Sequence, residues 1–436
     1  MLKHRPLCDN CLGRQFAMLG NHMENFERGA AIKAALTLEA HSRFTSKHSQ
    51  WSKGVLKILV RNGFSEAARR IIHDLNIPFS YSEKPSKCFL CDDSFRHINY
   101  LAEQAWLQLS CYDYKSFLVG ITLPVSVGER EDEFKARFNV CHSENMRNEF
   151  TRLIGKRLAK LTGKSVEHRT PQVVVLINPL TRTVSLQINP LYLRGSYRKF
   201  VRGIPQSKWF CSECKGKGCE KCSWTGKMYS ESVEEIIGQP VLDATLGVKS
   251  SFHASGREDI DARMLGDGRP FILEITKPKK RFLNLDELEK IINAYGKDKV
   301  KVSNLRIVNR EAIRKLKIGE SSQKEYLVNI KFENALTPDD LCKLEERLTN
   351  TMIKQRTPKR VSHRRSDLTR EKYIYQVKVK KLSPKEAEMR IRCQGGLYVK
   401  ELITGDDGRT QPNVSAILKN EAVPINLDVI NIIMED

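Results

Sequence analysis

Phe252-His253-Ala254-Ser255-Gly256-Arg257-Glu258-Asp259-Ile260-Asp261-Ala262-Arg263 is the stretch on which the reading of this chain turns. It follows an apolar run and gathers acids and two arginines behind a glycine, in a chain of formal net charge +22. Carboxylates flanked by cations beside a glycine turn are what an enzyme needs to hold one ionised aspartate against a polyanion. A solvated charged turn is the bland alternative. Against it, Gly256 precedes the acids and Gly266-Asp267-Gly268-Arg269-Pro270 follows them, so the segment is framed by residues that supply unusual dihedrals. Such framing is expected where a backbone approaches a ligand closely.

Composition widens the argument. The 436 residues are 40% hydrophobic, enough for two or three domains with their own cores. Lysine and arginine number 74 against 52 aspartate and glutamate, and the pI near 9.5 points to a phosphate backbone as partner. Met1 to Asn10 is polar and lacks the apolar centre of a secretory signal. Val173 to Ile177, the longest aliphatic run, is far too short to cross a bilayer. The expectation is a soluble, cytoplasmic protein without a membrane partner. Twelve cysteines in that setting argue for metal or free thiols rather than disulfides.

The chain reads as an α+β multidomain protein in four segments. Residues 1–95 are mostly helical, with Ala67, Ala68, Ile71, Ile72 and Leu75 at helical spacing behind Ser65. Residues 96–205 resemble a small α/β RNA-binding module. In it Phe117 to Val127 is strand-like, Glu149 to Leu161 is helical, and Val173–Ile177 with Val184–Ile188 forms a hairpin. The hairpin leads into a Tyr/Arg-rich exit, Leu191 to Lys199. Residues 206–227 are a Gly/Cys/Lys-rich knuckle. Residues 228–436 alternate strands and helices and are large enough for one catalytic domain.

Two cysteine groups predict structural metal. Cys211-x2-Cys214 and Cys219-x2-Cys222 aim four thiolates at one point, with Gly216 and Gly218 letting the backbone fold back. Cys8-x2-Cys11 and Cys88-x2-Cys91 form a second, discontinuous set that staples the ends of the helical segment. Neither set shows the open position or the histidine ligand of a catalytic site, so one or two structural zinc ions are expected. Cys111, Cys141, Cys342 and Cys393 stand alone.

Three further motifs carry a resemblance. Gly256-Arg257-Glu258-Asp259 is similar to the Gly-Arg-Thr-Asp signature of tRNA pseudouridine synthases, with Asp259 at the essential aspartate. Lys324-Glu325-Tyr326-Leu327-Val328 resembles the second motif of that family. Gly395-Gly396-Leu397-Tyr398-Val399-Lys400-Glu401-Leu402 resembles the third, with Lys400 at its basic position. With the paired cysteines, a THUMP-like segment ending near Arg202, the knuckle, and Arg364-Arg365-x-Asp367-Leu368, the whole chain resembles the archaeal THUMP-containing tRNA pseudouridine(54/55) synthases. It departs from the generic signature at Glu258 and Asp261, which leaves Asp261 as a rival acid.

The resemblance implies a catalytic domain with a central, mostly antiparallel sheet flanked by helices. It implies isomerisation of uridines 54 and 55 in the T arm of tRNA, with the acceptor end held by the THUMP-like module. Whether one or both uridines react stays open. Asp259 would attack C1′ or remove the C2′ proton of a flipped-out uridine. Arg257 would enter the vacated space, Tyr326 would stack on the base, Tyr398 would line the same pocket, and Lys400 would hold Asp259 ionised. Arg263 would contact the substrate or pair with Asp261. No catalytic cofactor is implied, and a monomer is expected. Lys277 to Arg281, and Lys354, Arg356, Lys359, Arg360, Arg364 and Arg365, are candidate phosphate contacts. A THUMP-bearing methyltransferase or thiolation enzyme would instead need a nucleotide-binding turn, for which Gly266 to Pro270 is the nearest candidate. A zinc-containing tRNA-binding protein without catalysis would tolerate changes in the charged turn.

Overall fold

The computed structural model describes residues 1–47, 49–80, 86–318, 322–362 and 366–433. They fold as two units, Met1–Asn189 and Pro190–Asp436. Arg364 and Arg365, two of the candidate phosphate contacts, lie outside the described residues.

The first unit begins with helices α1 (Asp9–Gly13), α2 (Asn25–Lys47), α3 (Gln50–Arg61) and α4 (Glu66–Asp74). The start expected at Ser65 is observed: its hydroxyl accepts the Ala68 amide and caps α4. Next come α5 (Ile98–Leu109), β1 (Ser116–Ile121), α6 (Val125–Arg137), α7 (Met146–Thr162), β2 (Ser165–Val166), β3 (Val173–Asn178) and β4 (Thr183–Ile188). The four strands form one sheet in the order β2-β1-β3-β4, parallel at β1 and antiparallel in the β3–β4 hairpin. Helices α5 and α7 supply Leu101, Ala105, Phe150, Ile154 and Leu158 to a core that includes Phe117 and Val175. One expectation is corrected. The strand read over Phe117–Val127 ends at Ile121, and Val125 opens a helix. Pro124, its N-cap, has no amide to continue a ladder and a φ already suited to a helix entrance.

The second unit is built on one large sheet. Its elements are β5 (Leu191–Lys199), α8 (Val233–Thr245), β6 (Lys249–Ala254), β7 (Ala262–Thr276), α9 (Leu285–Gly296), β8 (Val300–Val308), α10 (Glu311–Ile318) and β9 (Gln323–Phe332). They continue with α11 (Pro338–Leu348), β10 (Thr351–Arg356), β11 (Thr369–Ser383), β12 (Glu386–Gln394), α12 (Val399–Thr404), β13 (Thr410–Gln411), α13 (Val414–Leu418) and β14 (Ala422–Ile433). The strand order is β13-β10-β11-β12-β9-β14-β7-β5-β8, with β6 paired to β7. Every pairing is antiparallel except that of β14 with β7. The Tyr/Arg-rich exit is β5 itself, hydrogen-bonded to both β7 and β8. It therefore belongs to this sheet, and the division between units falls before Pro190.

Two apolar clusters back the sheet. One gathers α11 and α12 under β9 to β12 (Leu344, Leu348, Leu402, Ile353, Ile391), and the other gathers α8 and α9 under β5 to β8 (Ile237, Val241, Ile292, Phe271, Leu273). The 15-residue β7 runs through Gly266-Asp267-Gly268 without leaving the sheet, where the nucleotide-binding alternative would need a strand-to-helix turn. Gly266 has φ +57, and a Cβ there would lie 1.9 Å from the Ile430 carbonyl oxygen of β14. Gly266→Ala is therefore expected to cost at least about 1–3 kcal/mol, read as a lowered urea midpoint. A wild-type midpoint would show that this close approach is absent in solution.

Candidate active site

The loop Ser255–Asp261 between β6 and β7 is held at five of its seven carbonyls by side chains from elsewhere. Arg269 Nη1 donates to Ser255 O at 2.7 Å, and Gln206 Nε2 donates to Gly256 O at 3.0 Å. Lys199 Nζ donates to Asp259 O and Ile260 O at 3.3 and 3.2 Å, and Arg202 Nη1 donates to Asp261 O at 2.7 Å. Lys199 is fully buried, and that burial pulls its ammonium below its ordinary pKa. Gly256 turns with φ +79, and a Cβ there would meet Lys324 Nζ at 2.9 Å.

Beneath this loop lies a buried charge pair. Arg269 Nε donates to Glu258 Oε2 at 2.8 Å, with side-chain exposures of 1% and 0%. The Tyr197 hydroxyl donates to the same carboxylate at 2.9 Å and accepts from Gln206 Nε2 at 2.8 Å. Glu258 thus points down into the sheet while its neighbours Arg257 and Asp259 point out.

Asp259 looks into a cleft of about 690 Å³ that also receives Arg257, Tyr326, Tyr398 and Lys400. Three sequence-distant segments meet there: the loop with Arg257 and Asp259, β9 with Tyr326, and the start of α12 with Tyr398 and Lys400. Tyr326, on β9, lies in register with Val429 of β14, which lies in register with Met264 of β7. Burial pushes its phenol well above the ordinary range, so it stays neutral. Tyr398 caps α12, and Gln355 clasps its backbone both ways: Nε2 donates to Tyr398 O at 3.0 Å and Oε1 accepts Tyr398 N–H at 2.9 Å. Arg257 is exposed and lies 5.8 Å from the Trp209 ring centroid.

The electrostatics differ from the expectation in two respects. Lys400 binds Asp261 at 2.6 Å and reaches Asp259 only at 3.4 Å, whereas Arg360 Nη2 stands 3.2 Å from Asp259. Partial burial pushes the Asp261 carboxyl up, but Lys400 more than offsets this and holds it below its usual range. Arg360 is aimed by Glu401, whose Oε1 accepts its Nε at 2.5 Å. Arg263 is the second difference. It is absent from the cleft lining and pairs with Asp428 at 2.5 Å, not with Asp261. Because β14 runs parallel to the start of β7, Asp428 sits directly opposite Arg263 in register. Arg269, Gln206 and Gln355 were invisible in sequence because they act through a loop or a backbone; Glu258, the departure from the signature, was the one available signal.

The cysteines form two tetrads in which the sulfurs lie within 4.8 Å of one another: Cys8, Cys11, Cys88 and Cys91, and Cys211, Cys214, Cys219 and Cys222. Closest sulfur pairs are 3.7 Å apart, well beyond a disulfide bond. Backbone amides of Cys8, Gly218 and Gly226 donate to sulfur at 3.2–3.3 Å, as thiolates require. An all-sulfur set with amide donors and no spare position is compatible with structural zinc. Cys393 stands apart, buried in the sheet, its thiol pushed up to about 12 by burial.

Removing one partner of the Glu258–Arg269 pair strands a buried charge, at a cost of about 3–5 kcal/mol. Glu258→Gln and Arg269→Gln are each expected to lower the denaturation midpoint, and the double variant to cost less than the two losses together. Additive losses would show that the two groups are not coupled.

Two family descriptions match the chain: "Pus10, C-terminal" over residues 192–433 and "Pus10 THUMP domain, archaeal" over residues 101–178. The tRNA pseudouridine synthase Pus10 of Methanocaldococcus jannaschii is 42% identical over 445 residues, covering 99% of this chain and 93% of that protein. That of Methanopyrus kandleri is 38% identical over 439 residues, covering 100% and 97%. The Methanothrix thermoacetophila protein is 37% identical over 434 residues, covering 99% and 93%. On the strength of a matched C-terminal half and of relatives aligned end to end, this chain belongs to the Pus10 family of tRNA pseudouridine synthases, which are isomerases.

Proposed function

We propose that the chain isomerises uridines 54 and 55 in the T arm of tRNA to pseudouridine, with Asp259 as the reacting carboxylate. The observation that supports this is the convergence of Asp259, Tyr326, Tyr398, Arg360 and Lys400 in one cleft, in a member of this family. The reaction breaks N1–C1′, turns the base and joins C5 to C1′. The proton leaves C5 and N1 gains one, so no donor or redox partner is consumed. Attack on C1′ and removal of the C2′ proton both require an ionised, immobile carboxylate. Arg360 and Lys400 stand beside that carboxylate at 3.2 and 3.4 Å.

The uridine has to leave its stack first, at roughly a few kcal/mol. Tyr326, neutral and rigid in β9, offers a stacking face, and Tyr398 closes the opposite wall. Arg257, exposed at the rim, fills the space the base vacates. The module in the first unit holds the acceptor end by shape. Arg263 contributes indirectly in this reading: with Arg202 it anchors β14 to β7 through Asp428. The cysteine tetrads hold two zinc ions that staple their segments.

Incubation with an unmodified tRNA transcript, followed by mapping of pseudouridine through a chemical adduct, tests class and position together. Asp259→Asn is expected to lose at least about a thousandfold in turnover, roughly 4 kcal/mol in the barrier, while tRNA binding persists. Near-normal turnover would remove Asp259 from the reacting role. Metal analysis of the purified chain is expected to give about two zinc ions, and Cys11→Ser to release one of them with a lower melting temperature. A metal-free wild-type chain that melts normally would overturn the zinc reading.

A further inference from the structure

The acids that line the cleft are already matched by cations. Glu258 is taken by Arg269, Asp259 by Arg360 and Lys400, and Asp261 by Lys400. Most of the basic run read from sequence is also spent. Lys354 pairs with Glu371, Arg356 with Asp367 and Lys359 with Asp407. Two other cations in the cleft wall, Arg370 and Lys372, have no carboxylate partner among the described residues.

Their placement is unusual for surface lysine and arginine. On β11 they face the same side as Ile374, which is fully buried, and they stand opposite Gln355 and Ile353, both buried. The strand's core-facing side therefore turns cationic where the apolar layer gives way to the cleft. Both side chains are half-buried. The Lys372 ammonium packs against Gly396, where φ is +92 and a Cβ would lie 3.3 Å from Nζ. Arg370 Nη1 is braced by the Thr357 hydroxyl at 2.9 Å, which fixes one edge of the guanidinium. Two cations held in a cleft wall without a carboxylate partner among the described residues leave donors for an anionic ligand.

We propose that Arg370 and Lys372 seat two consecutive phosphates of the RNA strand at the target uridine. This rests on the function proposed above. Residues two apart on a strand present their side chains about 6.8 Å apart, on the scale of neighbouring phosphates in an extended nucleic-acid strand. The two cations stand beside Gly396 and Tyr398, so a strand lying along β11 would present its flipped nucleotide to Asp259. They are positioning residues, fixing which nucleotide enters the cleft.

The test is binding and turnover of an unmodified T-arm hairpin and full tRNA by the whole chain. Lys372→Gln and Arg370→Gln are each expected to raise KM roughly tenfold, as one charge-assisted hydrogen bond is lost, with kcat at saturation changed less than about twofold. Each is also expected to flatten the salt dependence of anisotropy-measured affinity by about one phosphate contact. Lys372→Arg is expected to keep the wild-type salt slope. A neutral methylphosphonate at one phosphate flanking the uridine should weaken wild-type binding but leave Lys372→Gln unchanged, and the adjacent phosphate should couple to Arg370 in the same way. An unchanged KM and salt slope, or effects that add between side chain and phosphate, would overturn the proposal. A wild-type chain that binds with these couplings yet forms no pseudouridine would instead overturn the catalytic reading alone.

Discussion

The Glu258–Arg269 pair is the constraint on which the site depends. Taking both charges out of water is expensive, and attraction between them repays that only when every remaining donor and acceptor is satisfied. The Tyr197 hydroxyl donates to the carboxylate and accepts from Gln206, and Arg269 spends a further N–H on Ser255 O. Such a pair contributes little net stability over an apolar filling of the same volume. What it contributes is direction. With Glu258 locked downward, the alternation of the chain sends Asp259 into the cleft.

The rest of the geometry follows from strand order. Because β14 lies between β9 and β7, Tyr326 and the start of β7 are two strands apart, about 10 Å at ordinary strand spacing. The cleft lies over that span, with Leu427 and Val429 of β14 in its lining. The parallel pairing of β14 with β7 is held at one point by Asp428, which receives both Arg263 and Arg202. Slipping β14 by one residue would turn Asp428 to the other face and expose two arginines without a partner. Register here is fixed by charge as well as by apolar packing.

The sequence made legible whatever is local and chemically loud. Cysteine spacing foretold both tetrads, and the resemblance carried by three motifs singled out Tyr326, Tyr398 and Lys400, which line one cleft with Asp259. Periodicity foretold α4, α7 and the β3–β4 hairpin. It failed at Val125, where an apolar residue four positions past the strand opens a helix after Pro124, and apolarity alone does not tell the two apart. It also failed wherever partners are chosen by topology. Nothing near Arg263 in sequence announces Asp428, 165 residues away, and Arg360 reads as one cation in a basic run until Glu401 and Asp259 are seen beside it. Gln355 and Gln206 bind backbone, so their side-chain chemistry carries no motif.

The departure at Glu258 then has a physical explanation. Threonine, the residue of the generic signature, would leave the Arg269 guanidinium buried without a counter-charge, because nothing else near it is acidic among the described contacts. The two positions are therefore one choice: a carboxylate beneath the loop obliges a guanidinium beneath it. The same reasoning separates the two exposed-side acids. Asp261 has a side chain 66% exposed and is neutralised by Lys400 at 2.6 Å, whereas Asp259 is 36% exposed and meets cations only at 3.2–3.4 Å. The reaction proposed for this cleft asks for a carboxylate that is free to change partners. Asp259, the looser and drier of the two, fits that proposal better, while Asp261 holds Lys400 beside it.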